Sequence, residues 1–195
     1  GWINDSNNVE YSSPVQIPGT NWATGSYKIK FAKSIHAIKT DGTLWGWGSN
    51  DRGQIGVPAT SQAHQSSPLQ IPGTNWRSVG GGSQNNTFVT KTDGTLWGWG
   101  ANLSGQLSQN NRTSYSSPVQ IPGTNWKKIT STCTAGGLGV KTDGTLWVWG
   151  DNNPGQLGQS NLTRQSSPVQ IPGTEWATLG NTSNSMYAIQ DDQTP

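Results

Sequence analysis

Lys-Thr-Asp-Gly-Thr-Leu-Trp-Gly-Trp-Gly occupies residues 39–48, recurs at 91–100, and recurs again at 141–150 with Val148 between the two tryptophans. Asp-Gly flanked by apolar residues is the strongest short hairpin signal, because both central turn positions favour positive φ. The residues after the turn then form a strand whose side chains alternate in direction. Trp45 and Trp47 therefore share one face, as do Trp97 and Trp99, and Trp147 and Trp149, while Leu44, Gly46 and Gly48 take the other.

Outward from this decapeptide the register persists. An asparagine follows at 50, 102 and 152, and then Gly-Gln at 53–54, 105–106 and 155–156. A second block, Ser-Ser-Pro-Val/Leu-Gln-Ile-Pro-Gly-Thr-Asn/Glu-Trp, occupies 12–22, 66–76, 116–126 and 166–176, at spacings of 54, 50 and 50. Val15 and Ile17 alternate as in a strand, and Pro18-Gly19 supplies a turn with proline at its first corner and glycine where φ is positive. Cut at the tryptophan that ends this block, the single region 1–195 divides into a partial unit 1–21, complete units 22–75, 76–125 and 126–175, and a partial unit 176–195.

No segment places apolar residues at i, i+3, i+4 and i+7, and Gly, Pro, Asn and Ser interrupt every window. The sequence therefore predicts an all-β chain. A unit of roughly 50 residues with three or four short strands is the size of one propeller blade, in which radial packing buries both faces of each sheet. Composition agrees: the chain is 30% hydrophobic and 11% charged, with a net charge of +2 and 11 tryptophans. Disordered chains are rich in charge and poor in aromatics. Each buried tryptophan removes roughly 150–250 Å² from water, so tryptophan replaces the missing aliphatic residues. No apolar stretch approaches the ~18 residues of a membrane-spanning helix. The opening GWINDSNNVE lacks the charged and apolar regions of a signal peptide. With Met186 as the one methionine, the sequence reads as a processed product or an excerpt.

The succession KTDGTLWGWG, Asn50, Gly53-Gln54 and Ser-Ser-Pro, repeated across the chain, resembles the RCC1-type repeat named after the regulator of chromosome condensation, in a bacterial or bacteriophage-like variant. The resemblance implies an RCC1-like β-propeller with about four repeats visible, three complete and one split between the termini. It also implies a closed ring of seven blades, so this chain is expected to be part of a larger propeller. Joined head to tail, the termini nearly make one blade but lack the strand with the tryptophan pair. The family's His-Ser pair falls at Ser34-Ile35, Asn86-Thr87, Gly136-Gly137 and Ser185-Met186, and is absent at all four.

Catalysis requires paired carboxylates or a nucleophile with its base. Asp41, Asp93 and Asp143 are accounted for by their turns, and no catalytic residue is expected. Cys133 stands alone, which excludes an intrachain disulfide and a cysteine-rich zinc site, and His36 and His64 form no ligand spacing. No metal or cofactor is expected. Lys28, Lys30, Lys33 and Lys39 interleave with Tyr27, Ile29 and Phe31, which reads as a strand with lysines toward solvent and Ile29 and Phe31 inside. A net charge of +2 gives no basic field for nucleic acid.

The segments 49–65, 101–115 and 151–165 vary most between units. Variable loops on a rigid scaffold are where recognition resides, so Arg52, His64, Arg112, Tyr115 and Arg164 are the candidate partner-binding residues. The reading expected from sequence is a non-enzymatic structural or recognition module that presents these loops to a protein or glycan. Such a module would sit on a phage virion, as a tail fibre or decoration, or on a bacterial surface as an adhesin, and so be extracellular. Further blades or other copies would contact its open edges. The alternative, implied by the resemblance, is a guanine-nucleotide exchange or chromatin-binding regulator.

Overall fold

The hairpins form at Asp-Gly, but not with both residues at positive φ as expected: Gly42, Gly94 and Gly144 have φ of 78°, 80° and 77°, whereas Asp41, Asp93 and Asp143 do not adopt positive φ. The Gly42, Gly94 and Gly144 N–H groups donate to the Lys39, Lys91 and Lys141 carbonyls, so Thr-Asp forms the corners and glycine leaves the turn. In each turn the aspartate Oδ1 accepts the backbone N–H and the hydroxyl of the threonine two residues on, and that threonine Oγ1 accepts the indole N–H of the first tryptophan of the following strand. These bonds to the charged form hold the Asp41, Asp93 and Asp143 carboxyls below the ordinary carboxylate range.

The computed structural model describes residues 13–58, 64–80, 85–131, 136–181 and 186–191. Cys133, Asn4, Asp5, Glu10, Ser185 and Asp192 lie outside them. The described residues form fourteen strands and no helix. The first antiparallel sheet is β1 (Ile29–Phe31), β2 (Ser34–Ile38), β3 (Leu44–Ser49) and β4 (His64–Ile71), in that order. The second is β5 (Trp76–Gly80), β6 (Asn86–Lys91), β7 (Leu96–Gly100) and β8 (Tyr115–Ile121). The third is β9 (Trp126–Ser131), β10 (Gly136–Lys141), β11 (Leu146–Gly150) and β12 (Gln165–Ile171). A two-stranded sheet of β13 (Trp176–Asn181) and β14 (Met186–Gln190) follows. The chain is thus all-β, built of successive antiparallel blades.

The sheets fan about one side. The first strands meet across sheets, β1 with β5, β5 with β9 and β9 with β13, which places them on the narrow inner side. The fourth strands are sheet edges and carry Pro68, Pro118 and Pro168, where a missing N–H interrupts no ladder and blunts the edge against pairing. The same backbone bond recurs at each step between sheets. The N–H of Trp76, Trp126 and Trp176 donates to the turn carbonyl of Gly42, Gly94 and Gly144 in the preceding sheet, at 2.9–3.0 Å.

The core lies between sheets. Ile38, Leu44 and Ile71 of the first sheet bury Trp76, Val79 and Trp99 of the second. Phe88, Leu96, Leu107 and Ile121 bury Trp126, Ile129 and Trp149 in the same way, and Leu138, Leu146, Val148 and Leu157 meet Trp176 and Leu179. The tryptophan pair shares a face as expected: Trp97 and Trp99 both lie edge-on to Trp76, with centroids 6.2 and 6.1 Å away. The opposite face explains the single difference among the three decapeptides. Gly46 and Gly98 lie beneath the His36 and Phe88 rings, where a Cβ would come within 3.1 Å of either ring. In the third sheet Leu138 replaces the ring, and Val148, its cross-strand partner, replaces the glycine.

The lysine that opens each decapeptide has a function the sequence does not announce. Lys91 Nζ lies 4.7 Å from the Trp76 ring centroid and 4.6 Å from that of Trp97, and Lys39 and Lys141 occupy the same sandwich on Trp22/Trp45 and Trp126/Trp147. Strand β1 corrects one expectation: Ile29 and Phe31 point to solvent, 43% and 67% exposed. Lys28 instead reaches across to the Arg77 carbonyl of the second sheet, a group freed by the register shift between Trp76 and Ser78. No preceding sheet covers β1 among the described residues, although Val79 and Ile129, in the corresponding position, are buried.

Two predictions follow from this packing. Lys91→Met is expected to lower stability by about 1 kcal/mol, the scale of a partly desolvated cation–π contact, whereas Lys127→Met on the exposed face of β9 changes it by less than about 0.5 kcal/mol, as read by urea denaturation. His36 is fully buried with its ring 5.9 Å from that of Trp99, and burial pushes its imidazole down to about 4, opposed by the Ile55 carbonyl 3.3 Å from Nε2. The unfolded chain takes up that proton near pH 6.5 and the folded chain only near pH 4, so stability falls as pH drops through this window and levels off below it. His36→Phe, which copies Phe88, removes about 2 kcal/mol of acid sensitivity between pH 7 and pH 4.5. Denaturation of both proteins at pH 7 and pH 4.5 measures it, and equal losses would contradict it.

Candidate functional site

The segments between third and fourth strands emerge at one end of each sheet, opposite the Asp-Gly turns, and their frame is rigid. Asn50, Asn102 and Asn152 are buried, and their Oδ1 atoms accept the N–H of Ile55, Leu107 and Leu157 at 2.8–3.0 Å. Asn102 Nδ2 also donates to the Asn111 and Thr113 carbonyls, and Asn152 Nδ2 to those of Asn161 and Thr163. Gln54 and Gln106 close the turn by accepting the N–H of Arg52 and Ser104. Their backbone carbonyls accept the indole N–H of Trp99 and Trp149 from the next sheet, at 2.9 and 2.8 Å. The recurring asparagine and Gly-Gln are therefore the frame of the rim, and the chemistry open to a partner lies in the side chains between them.

These segments also overlap around the fan. A Cβ on Gly53 would come within 2.7 Å of Ser116 Cα, and one on Gly105 within 3.0 Å of Ser166 Cβ. Asn110 N–H donates to the Ser166 carbonyl, and Asn110 Oδ1 accepts the Ser167 hydroxyl. The rim is one continuous surface rather than three separate loops.

The five candidate residues divide between surface and frame. Arg52 and Arg112 are exposed with their side chains on the rim. His64, exposed at the start of β4, lies 3.9 Å from Asp51, whose other oxygen accepts the Ser49 hydroxyl. Arg164 Nε donates to Asp151 at 2.6 Å, which ties the two ends of its segment together. Tyr115 is half-buried against the core between the second and third sheets, and its hydroxyl accepts Asn111 Nδ2 at 3.0 Å. The structure thus places all five on the same rim but uses Tyr115 and Arg164 to shape it. Sequence reasoning missed the Asn110–Ser167 contact, and no sequence signal marks it; in the structure Asn110 and Ser160, in equivalent places after Gly-Gln, both adopt positive φ.

Among the described residues no three His, Cys, Asp or Glu side chains gather as a metal site, and no helix is long and apolar enough to cross a membrane. The rim offers hydrogen bonds, guanidinium groups and exposed apolar tips such as Leu103 and Leu162.

Comparison with known proteins gives this geometry its family. The family described as "Regulator of chromosome condensation (RCC1) repeat" matches residues 41–89, 93–138 and 143–178, well over half of the chain. The chain belongs to the RCC1-repeat family. Each RCC1 match begins at an Asp-Gly turn; the first two run from the third strand of one blade into the second strand of the next, and the third ends in the first strand of the next, β13. Each match therefore spans one interface between blades. Over 76 residues the chain is 34% identical to the RCC2 homolog of Danio rerio, covering 39% of this chain and 15% of that protein. It is 32% identical to RCC2 of Homo sapiens over 78 residues, with the same coverage of 39% and 15%. Among solved structures it superposes on Prp20p of Saccharomyces cerevisiae with a TM-score of 0.66 at 18% identity, covering 75% of this chain and 38% of that one. On human WBSCR16 the TM-score is 0.65 at 18% identity, covering 76% and 39%. The chain spans about one seventh of the RCC2 proteins and less than two fifths of these propellers.

The rim's division of labour is measurable. Asn102→Ala leaves a buried N–H without its acceptor and is expected to cost about 1–3 kcal/mol. Arg164→Ala, which breaks a half-exposed pair, is expected to cost less than about 1 kcal/mol. Chemical denaturation of the two variants tests the ordering.

Proposed function

We propose that this chain is a non-enzymatic, protein-binding section of an RCC1-type regulator, with the rim of Arg52, His64 and Arg112 as its partner-facing surface. The observation that carries the proposal is the fate of the repeated polar groups. The asparagine Oδ1 atoms, the Gln54 and Gln106 side chains, the Asp-Gly turns and the lysines hold the blades, which leaves selection of a partner to the non-repeated rim side chains. Function on such a scaffold resides in the grafted surface rather than in the fold.

The relatives point to proteins as the partner class. Prp20p is described with its binding to Gsp1p and histones, and yeast RCC1 (Prp20) has been solved with Kap60 bound. These relatives are why the regulator reading takes precedence over display on a virion or bacterial surface, an assignment that would use the same rim for a host protein or glycan.

Calorimetric titration of the chain with Gsp1p, and separately with core histones, tests the proposal. Binding of at least one partner is expected. The double variant Arg52→Ala/Arg112→Ala is expected to weaken it tenfold or more, since interfacial arginines are common hot spots, with unchanged melting temperature. Binding to neither protein would overturn the regulator reading, and binding indifferent to the double variant would remove the rim from it. Glycan-array binding without protein binding would restore the display reading.

A further inference from the structure

Among the described residues the fourth sheet has two strands, and β14 pairs with β13 on one side and with no strand on the other. In the three complete sheets the second strand pairs on that side with the tryptophan-bearing third strand. The outer edges of those sheets, β4, β8 and β12, each carry a proline. The β14 sequence, Met-Tyr-Ala-Ile-Gln, has neither proline nor charge. An unpaired row of strand N–H and C=O groups without such blunting is a template for another strand.

The surroundings of this edge are those of a blade interface lacking one member. Trp176 and Ile171 are half-buried, whereas their counterparts Trp126 and Ile121 are fully buried. What completes the burial elsewhere is the second tryptophan of the third strand: Trp99 lies 6.1 Å from Trp76, and Trp149 lies 5.6 Å from Trp126, between ring centroids. Both indoles also donate to the Gly-Gln carbonyl of the preceding sheet. Gln156 is the residue in that place for the fourth sheet, which has no third strand among the described residues to reach its carbonyl. The Tyr187 ring lies over Gly180 of β13, away from the free edge.

Register defines what fits. In the second sheet Leu96 lies opposite Thr90, Trp97 opposite Val89 and Trp99 opposite Thr87. Aligned through the first-strand pairing, these second-strand positions are Ile189, Ala188 and Met186 in β14. We propose that the free edge of β14 is a strand-acceptor site, taking in trans an extended Leu-Trp-x-Trp segment of another polypeptide. Its main chain continues the sheet, its first indole packs on Trp176, and its second covers Ile171 and donates its N–H to the Gln156 carbonyl. Main-chain pairing supplies affinity in this mode, and the alternate side chains supply selectivity. The copies of the pattern within this chain are strands of their own sheets, so a second copy would have to open a blade to provide one.

Anisotropy of a fluorescein-labelled synthetic peptide, Lys-Thr-Asp-Gly-Thr-Leu-Trp-Gly-Trp-Gly, titrated with the 195-residue chain tests this, and amide hydrogen exchange locates the site. Saturable binding is expected, weakened about tenfold or more when either peptide tryptophan is replaced by alanine, as for aromatic anchors in pockets. In the free chain the β14 amides are expected to exchange faster than those of β6 and β10, and bound peptide is expected to slow them about tenfold or more while β6 is unchanged. No binding at about 1 mM chain, or equal binding of a peptide lacking both tryptophans, would overturn the proposal. So would protection that falls on β4, β8 or β12 instead of β14, or β14 amides already as protected in the free chain as those of β6.

Discussion

The interface between neighbouring blades is the constraint on which this structure depends. The second and third sheets each send the second tryptophan of their third strand into the sheet before, where the indole N–H meets a Gly-Gln carbonyl and the ring fills the space between the two. A chain with only 30% apolar residues succeeds because both faces of a sheet are used, each against a different neighbour. The RCC1 frame, which starts at the Asp-Gly turn rather than at a sheet edge, records this: what repeats in sequence is an interface. Stability in such an array is a sum of units and nearest-neighbour terms.

The polar motifs serve the same interface. Asp-Gly turns accept the opening N–H of the next sheet, lysines sit between two tryptophan rings, and buried asparagines tie the rim to the turn whose carbonyl the next tryptophan uses. The side chains that differ from blade to blade lie on the rim, outside this repeated frame. Under the proposed function, selection of a partner falls to them, which makes the rim the surface to examine.

Much of this was legible in the sequence. Asp-Gly and alternation place the tryptophan pairs on one face, and recurrence marks Asn50, Asn102 and Asn152 as one structural class. The sequence does not reveal which neighbour each face meets, because alternation fixes the side of a strand but not what lies beyond it. That is why the expectation for Ile29 and Phe31 failed: Val79 and Ile129, the counterparts of Ile29, are covered by a preceding sheet, and β1 is not. The place of His36 was available from alignment with Phe88, but its meaning required seeing both rings over a glycine. Tyr115 and Arg164 looked like variable surface residues because variation alone does not separate a side chain that shapes a loop from one that faces outward.

The central claim is that neighbouring blades are energetically coupled through aromatic contacts, and Phe88 with Trp149 is the cleanest pair, one ring from each sheet with centroids 5.9 Å apart and edge-on. A double-mutant cycle of Phe88→Leu and Trp149→Leu, read by equilibrium urea denaturation, measures that coupling. The account predicts an interaction energy of about 0.5–1.5 kcal/mol. Additive losses would contradict it and would mean that each sheet is stabilised within itself.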